Sequence, residues 1–412
     1  MYKKIEKCRI CGNTELLPVV DLGEQTLTGI FPKRRDQQIT CGPLRLVKCS
    51  GPDCCGLLQL EHSYDLNEMY GVDYGYRSGL NSSMVSHLYG KVKKIMALAD
   101  PQPGDLIVDI GSNDGTTLGA YPEGNLLVGI DPTCTKFLEY YRPDIRLIPD
   151  FFSAELIAKA FPGRKAKVVT SFSMFYDLEQ PLEFMREVAG VLDDEGIWVF
   201  EQSYMPTMLE RNAYDTICHE HLEYYGLRQI QWMVERAELK ILDVELNDVN
   251  GGSFSVTVAK QTSARPVAIQ KIADILEREH QLNLADVAPY IGFARRIEKS
   301  RDEINGFLNQ ARSERKTVYI LGASTKGNVI LQYCGVSESD IAGVGDVNPD
   351  KYGSFTPGTL LTIKPEDEVM ALNPDYLLIL PWHFREFFLK NPKFRGRKLV
   401  FPLPELEVVD LP

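Results

Sequence analysis

Between residues 80 and 260, short apolar runs recur at intervals that leave room for helical stretches between them: LIVDI (106–110), LLVGI (126–130), KVVTS (167–171) and GIWVF (196–200). Runs of this kind suit strands buried on both faces, and their alternation with helical stretches predicts a parallel α/β sheet. The block closes with LKILDVEL (239–246) and SFSVTVAK (253–260), two alternating runs joined by NDVNGG, which predicts a terminal hairpin. A polar, helical stretch follows over 265–312, broken at Pro289. Beyond it, TVYILGAS (317–324), DIAGVGDV (340–347), DYLLIL (375–380) and KLVFPL (398–403) predict a second, smaller α/β unit. The expected division of the 412 residues is 1–70, 71–262 and 263–412.

The first of these blocks is different in kind. Six of the nine cysteines (Cys8, Cys11, Cys41, Cys49, Cys54, Cys55) fall within it, among turn signals and few periodic segments. So small and loop-rich a block buries little, and a metal ion supplies what burial does not. Cys8 and Cys11 form a CxxC followed by Gly12, and Cys49 with Cys55, in CSGPDCCG, is the expected second pair. Four thiolates suit a tetrahedral Zn²⁺ with no open position, which makes the site structural. The second pair is spaced more widely than usual, so Cys54 is an alternative to Cys55, and Cys41 is also nearby.

Composition narrows the partners. With 45 Lys+Arg against 57 Asp+Glu, the net charge of −12 opposes a grip on a phosphate backbone. No apolar run approaches the roughly 20 residues that span a bilayer, and MYKKIEKCRICG has no apolar leader. A cytoplasmic protein with no nucleic-acid or membrane partner is expected; a monomer is compatible with this composition.

In VDIGSNDGTTL (108–118) a buried strand ends at Asp109 and passes through Gly111 and Gly115, which lets backbone N–H groups approach a ligand at the sheet's carboxyl edge. Asp131 closes the next strand in VGIDP, where a carboxylate can accept ribose hydroxyls. The dinucleotide fingerprint GxGxxG is absent, and Asn113 and Asp114 stand where a pyrophosphate would lie. Acidic groups there repel phosphates and suit a positively charged, phosphate-free ligand. S-adenosylmethionine is such a ligand, and Asp150, Phe151 and Phe152, after the third strand-like run, suit its adenine by hydrogen bond and stacking.

Two of the six histidines lie together in YDTICHEHLEYYG (214–226), with Glu220, Glu223, Tyr224 and Tyr225. Titratable groups at this density suit acid/base chemistry. The order CxxCG, CxxxxxCGLLQL, YGYRSGLNSSM, DIGSNDGTTL, VGIDP, YDTICHEHLEYY, NGGS and LGASTKGN resembles, along nearly the whole chain, the sugar C-methyltransferases that act on nucleotide-linked deoxyketosugars. The resemblance implies a class I methyltransferase-type doubly wound sheet, a small zinc-binding amino-terminal domain, and a Rossmann-like carboxy-terminal α/β domain that helps hold a dTDP- or GDP-type sugar. It further implies methyl transfer to C-3′ beside a C-4′ ketone.

Such a reaction needs a base to remove the proton alpha to the ketone and donors for the enolate oxygen. By position in the family's motif His221 is the expected base, with Glu220 beside it and Tyr76 reaching the sugar; His219 is a second candidate. Tyr224, Lys326 with Asn328 in GASTKGN, and His383 in PWHFRE are the expected substrate contacts, Lys326 toward a diphosphate. Two departures stand out: Cys218 replaces a Tyr before HEH, and Phe175 stands where relatives carry a His. O-methylation of a hydroxyl, or sugar binding without catalysis, are the competing readings.

Overall fold

The structure is a computed structural model that describes residues 2–70 and 76–412; Tyr74 and Gly75, which begin YGYRSGLNSSM, lie outside the described residues. The apolar runs of the central block form a seven-stranded sheet in the order Leu239–Asn247, Ser253–Lys260, Leu192–Ser203, Ala166–Phe172, Leu106–Ile110, Leu126–Ile130, Arg146–Ile148. The last five of these run parallel to one another, and the two that open the list form the expected antiparallel hairpin, whose second strand pairs antiparallel with Leu192–Ser203. One face packs Val108, Trp198 and Phe200 against Met185 and Val188 of helix Pro181–Val191 and Ile230 of helix Leu227–Arg236. The other packs Ile107, Val168 and Val199 against Val92 and Ile95 of helix Ser82–Ala99. Burial on both faces accounts for the unbroken apolar runs. Strand order reverses between Leu106–Ile110 and Ala166–Phe172, the switch point at which open α/β sheets receive ligands.

The amino-terminal block folds into a four-stranded antiparallel sheet, and its edge strand comes from elsewhere. Glu223–Tyr224 of the central block pairs with Leu58–Leu60, followed by Cys41–Cys49 and Leu16–Thr26. The HEH segment is therefore a turn leading into a borrowed strand.

The carboxy-terminal unit is a six-stranded sheet ordered Ile363–Pro365, Val344–Asp346, Val318–Leu321, Tyr376–Ile379, Lys398–Phe401, Glu407–Asp410, with only the last strand antiparallel. Helices Ile269–Gln281 and Ala288–Ser313 fill the polar stretch, and Pro289 sits in the first turn of the second, where its missing N–H costs nothing.

The three blocks share cores. Cys8, Cys49, Cys55 and Leu57 pack with Tyr225, Leu227 and Ile230, while Val20, Leu46, Tyr214, Ile217, Ile320 and Val329 belong to another common cluster. The Gln332 side-chain amide joins the sheets by accepting from Thr26 N–H at 2.8 Å and donating to its carbonyl at 3.0 Å. Among the described residues no helix is long and apolar enough to cross a membrane.

Candidate active site

The Sγ atoms of Cys8, Cys11, Cys49 and Cys55 lie within 4.8 Å of one another, with Cys8–Cys55 and Cys11–Cys49 each at 3.5 Å. Four sulfurs at about 2.3 Å from a tetrahedral Zn²⁺ stand about 3.8 Å apart, so the quartet fits that ion. Gly12 closes the CxxC turn, donating its N–H to the Cys8 carbonyl at 2.9 Å with φ of +72°. The fourth sulfur is that of Cys55; the Cys54 thiol turns to the Cys49 carbonyl instead, and Cys41 is exposed outside the group.

At the switch point lies a cavity of about 230 Å³. Asp109, Gly111, Asn113, Asp131, Asp150, Phe151, Phe152 and Tyr76 all line it. Asp131 is held by N–H groups of Asn113 at 2.8 Å and Thr133 at 2.6 Å, which fixes the carboxylate at the end of its strand. Asp109 accepts the Thr170 hydroxyl at 2.6 Å, and burial pushes its carboxyl up to about 7. Phe151, 48% exposed, offers a free ring face, whereas Phe152 packs edge-on to Phe184 at 5.2 Å. An acidic wall, a carboxylate after the second strand and an aromatic after the third fit S-adenosylmethionine.

Asn113 and Asp114 also bind the segment that carries Tyr76. Asn113 accepts the Ser78 N–H at 2.9 Å and donates to the Tyr76 carbonyl at 3.2 Å. Asp114 accepts the Gly79 N–H at 2.8 Å and the Thr116 hydroxyl at 2.6 Å, and it does not line the cavity. The backbone N–H groups of 78–79 need acceptors, and these side chains supply them, bringing Tyr76 to the cavity wall. Gly115 is also outside the lining; its φ is +76°, and a Cβ there would stand 2.5 Å from the Tyr141 ring.

The HEH segment parts its two histidines. The Nδ1 of His221 lies 2.8 Å from the Thr216 carbonyl, which can only accept, so Nδ1 carries the proton and Nε2 keeps its lone pair. The ring packs on Tyr176 at 4.2 Å, and burial together with the Lys326 charge lowers its pKa to about 3. Glu220 lies against the backbone of Gly29, leaving no room for a Cβ there, and its carboxylate is 3.5 Å from the Thr28 hydroxyl; burial raises its pKa. His219, the second candidate base, is fully buried the other way. It stands edge-on to Tyr64 at 4.6 Å, and neither ring nitrogen has a hydrogen-bond partner among the described residues. That environment is the amino-terminal sheet, away from the cavity.

On the carboxy-terminal side, Lys326 donates to the Asn250 carbonyl at 2.8 Å, beside the buried Asp215, which accepts the Trp382 indole N–H at 2.8 Å. His383 shares this neighbourhood: burial and the Lys326 charge lower its pKa to about 3. Asn328 is no cleft residue. It is fully buried, and its amide donates to the Thr28 carbonyl at 2.8 Å, tying two blocks together. Tyr224 is 3% exposed in the borrowed strand, and its hydroxyl has no hydrogen-bond partner among the described residues. Phe175 is a core residue between Trp198 at 5.6 Å and Phe200 at 5.2 Å, and Cys218 is fully buried. Thr216, Asp177 and Tyr70 were not singled out by motif. Of these, only Asp177 carried a signal, as an acidic residue just past the fourth strand.

Three family models tile the chain: "Putative zinc binding domain" over 8–70, "Methyltransferase domain" over 68–244 and "C-methyltransferase C-terminal domain" over 248–404. C-methyltransferase NovU of Streptomyces niveus is 29% identical over 420 residues, spanning 99% of this chain and 98% of its own. The chain carries these C-methyltransferase family domains in order and is similar to this relative along nearly its whole length. It is an enzyme that uses S-adenosylmethionine and carries a structural zinc site. Among solved structures, this C-methyltransferase is similar to an S-adenosylmethionine-dependent methyltransferase from Clostridium acetobutylicum, with 10% identity, 43% of this chain and 92% of that one covered, and a TM-score of 0.34. The plantazolicin methyltransferase BpumL in complex with SAH matches at 11% identity over 42% and 82% of the two chains, with a TM-score of 0.34.

Proposed function

We propose that this C-methyltransferase acts on C-3′ of a nucleoside-diphosphate-linked 4-keto deoxysugar, of dTDP or GDP type, with His221 as the base. The observation that supports the reading is the Nδ1–Thr216 hydrogen bond, which leaves Nε2 unprotonated and available. In this scheme residues 1–70 carry the zinc, 71–262 the cofactor and 263–412 a wall of the sugar site. His221 Nε2 takes the C-3′ proton, and the electron pair of that bond moves onto the C-4′ oxygen as an enolate. When bound, S-adenosylmethionine supplies an electrophilic methyl group on a sulfonium. Glu220 lies beside the base, Tyr76 reaches the sugar from the cavity mouth, and Lys326 with His383 faces the nucleotide-sugar. Proton abstraction by such a positioned base is worth about 10²–10⁴-fold in rate.

The test is to incubate the enzyme with S-adenosylmethionine and a panel of dTDP- and GDP-linked 4-keto sugars. The expected product is heavier by one methyl, which NMR assigns to C-3′. A methyl found on oxygen, or no product from any ketosugar, would overturn the reading.

A further inference from the structure

The cofactor cavity holds a carboxyl for which neither the motifs nor the mechanism has a use. Asp177, just past strand Ala166–Phe172, lines the cavity; its Oδ2 accepts the Tyr70 hydroxyl at 2.9 Å, and its Oδ1 is buried with no hydrogen-bond partner among the described residues. Among the described residues it has no ion pair with a Lys, Arg or His. The titratable groups that face it are the carboxyls of Glu220 and Glu223, the hydroxyls of Tyr70, Tyr176 and Tyr224, and the Cys218 thiol. Its near neighbour Glu179, also on the cavity wall, already has a cation in Arg9 at 3.2 Å. A carboxylate removed from water and surrounded by acids and neutral groups is costly unless a cation arrives. Burial and the nearby Glu220 accordingly hold its carboxyl well above the usual range.

Strand order indicates which part of the cofactor arrives there. The lining residues run along the sheet edge from Asp150 and Phe151 after the third strand, through Asp131 and Gly111, to Ser173 and Asp177 after the fourth. Strands are about 4.8 Å apart, so these three steps span about 14 Å. A nucleoside with its base against Phe151 and its ribose at Asp131 directs the remaining segment, which bears the sulfonium, toward the fourth strand. Tyr176, the residue before Asp177, packs on the imidazole of His221 at 4.2 Å, behind the cavity lining.

We propose that Asp177 is the counter-charge of the cofactor's sulfonium and makes the cavity selective for the charged methyl donor over the neutral thioether that remains after transfer. Binding of the sulfonium favours the carboxylate, so one proton passes from Asp177 to solvent. Once the methyl has left, the sulfur is neutral, the carboxyl recovers its proton from solvent, and the product is held less tightly.

The test is calorimetry of S-adenosylmethionine and S-adenosylhomocysteine binding, in buffers of different ionisation heat across the neutral pH range, with wild type and Asp177→Asn. Asparagine keeps an acceptor for Tyr70 and removes the charge. Asp109 lines the cavity whichever of the two ligands is bound, so the difference between them isolates the sulfonium. Wild type is expected to release more protons with S-adenosylmethionine than with S-adenosylhomocysteine. In Asp177→Asn that difference disappears, S-adenosylmethionine binds about 10- to 100-fold more weakly and S-adenosylhomocysteine is nearly unchanged. Equal proton release for the two ligands in wild type overturns the proposal without any variant. So does an Asp177→Asn protein that loses both affinities alike.

Discussion

The Nδ1 of His221 donates to the main-chain oxygen of Thr216 at 2.8 Å, a contact within one turn of chain that decides which imidazole nitrogen is basic. The folded pKa of about 3 lies below the ordinary 6.5, so the base is already unprotonated at neutral pH. Turnover is therefore expected to show no acid limb near 6.5, its decline belonging to far lower pH. His221→Ala is expected to lose about 10²–10⁴-fold in kcat, with cofactor affinity unchanged by calorimetry.

Gly29 belongs to the zinc-bearing block, yet the Glu220 carboxylate occupies the space a Cβ would take there. Gly29→Ala is expected to displace Glu220 and lower kcat while zinc content and S-adenosylmethionine affinity hold. Unchanged steady-state kinetics would contradict this contact.

Zinc content separates the two cysteines that adjoin in sequence. Cys55→Ser is expected to abolish stoichiometric zinc and lower Tm, because the quartet shares a core with Leu227 and Ile230 of the central block. Cys54→Ser is expected to retain zinc, since its thiol lies outside the quartet. Metal analysis and thermal unfolding of the two variants check this.

Asp131 is expected to serve the ribose, which S-adenosylmethionine and S-adenosylhomocysteine share. Asp131→Ala should weaken both about 10- to 100-fold, the worth of hydrogen bonds to a charged acceptor. A loss confined to one ligand, read by calorimetry, would contradict the assignment.

His219 gives a stability prediction with a definite sign. Its folded pKa, lowered by burial to about 3, is below the unfolded value of about 6.5. A depressed histidine contributes stability that is present above the unfolded pKa and lost as pH falls toward the folded one. Wild type is therefore expected to lose about 1.4 kcal/mol per pH unit through this residue below about pH 6.5. Denaturant unfolding of His219→Gln should show a shallower acid-side slope than wild type.

The central sheet and its hairpin were legible because strands buried on both faces must be apolar throughout, as in LIVDI and GIWVF. Asp131 was legible as a cavity-lining carboxylate because it closes the strand beside Leu106–Ile110. What escaped depends on partners distant in sequence. Nothing local in HLEYY announces that Glu223–Tyr224 pairs with Leu58–Leu60, yet that pairing accompanies the burial of His219 and Tyr224. Asn328 reads like a ligand contact in GASTKGN until the Thr28 carbonyl claims its amide. Asn113 and Asp114 look free in a glycine-rich loop because the N–H groups they satisfy, on Ser78 and Gly79, lie 35 residues earlier.

Solvent deuterium exchange at C-3′ of a dTDP- or GDP-linked 4-keto sugar, followed by NMR with S-adenosylhomocysteine bound, isolates proton abstraction from methyl transfer. Wild-type enzyme should wash deuterium into C-3′, and His221→Ala should not do so above the uncatalysed rate. Exchange that proceeds as fast in His221→Ala as in wild type would contradict the assignment of the base.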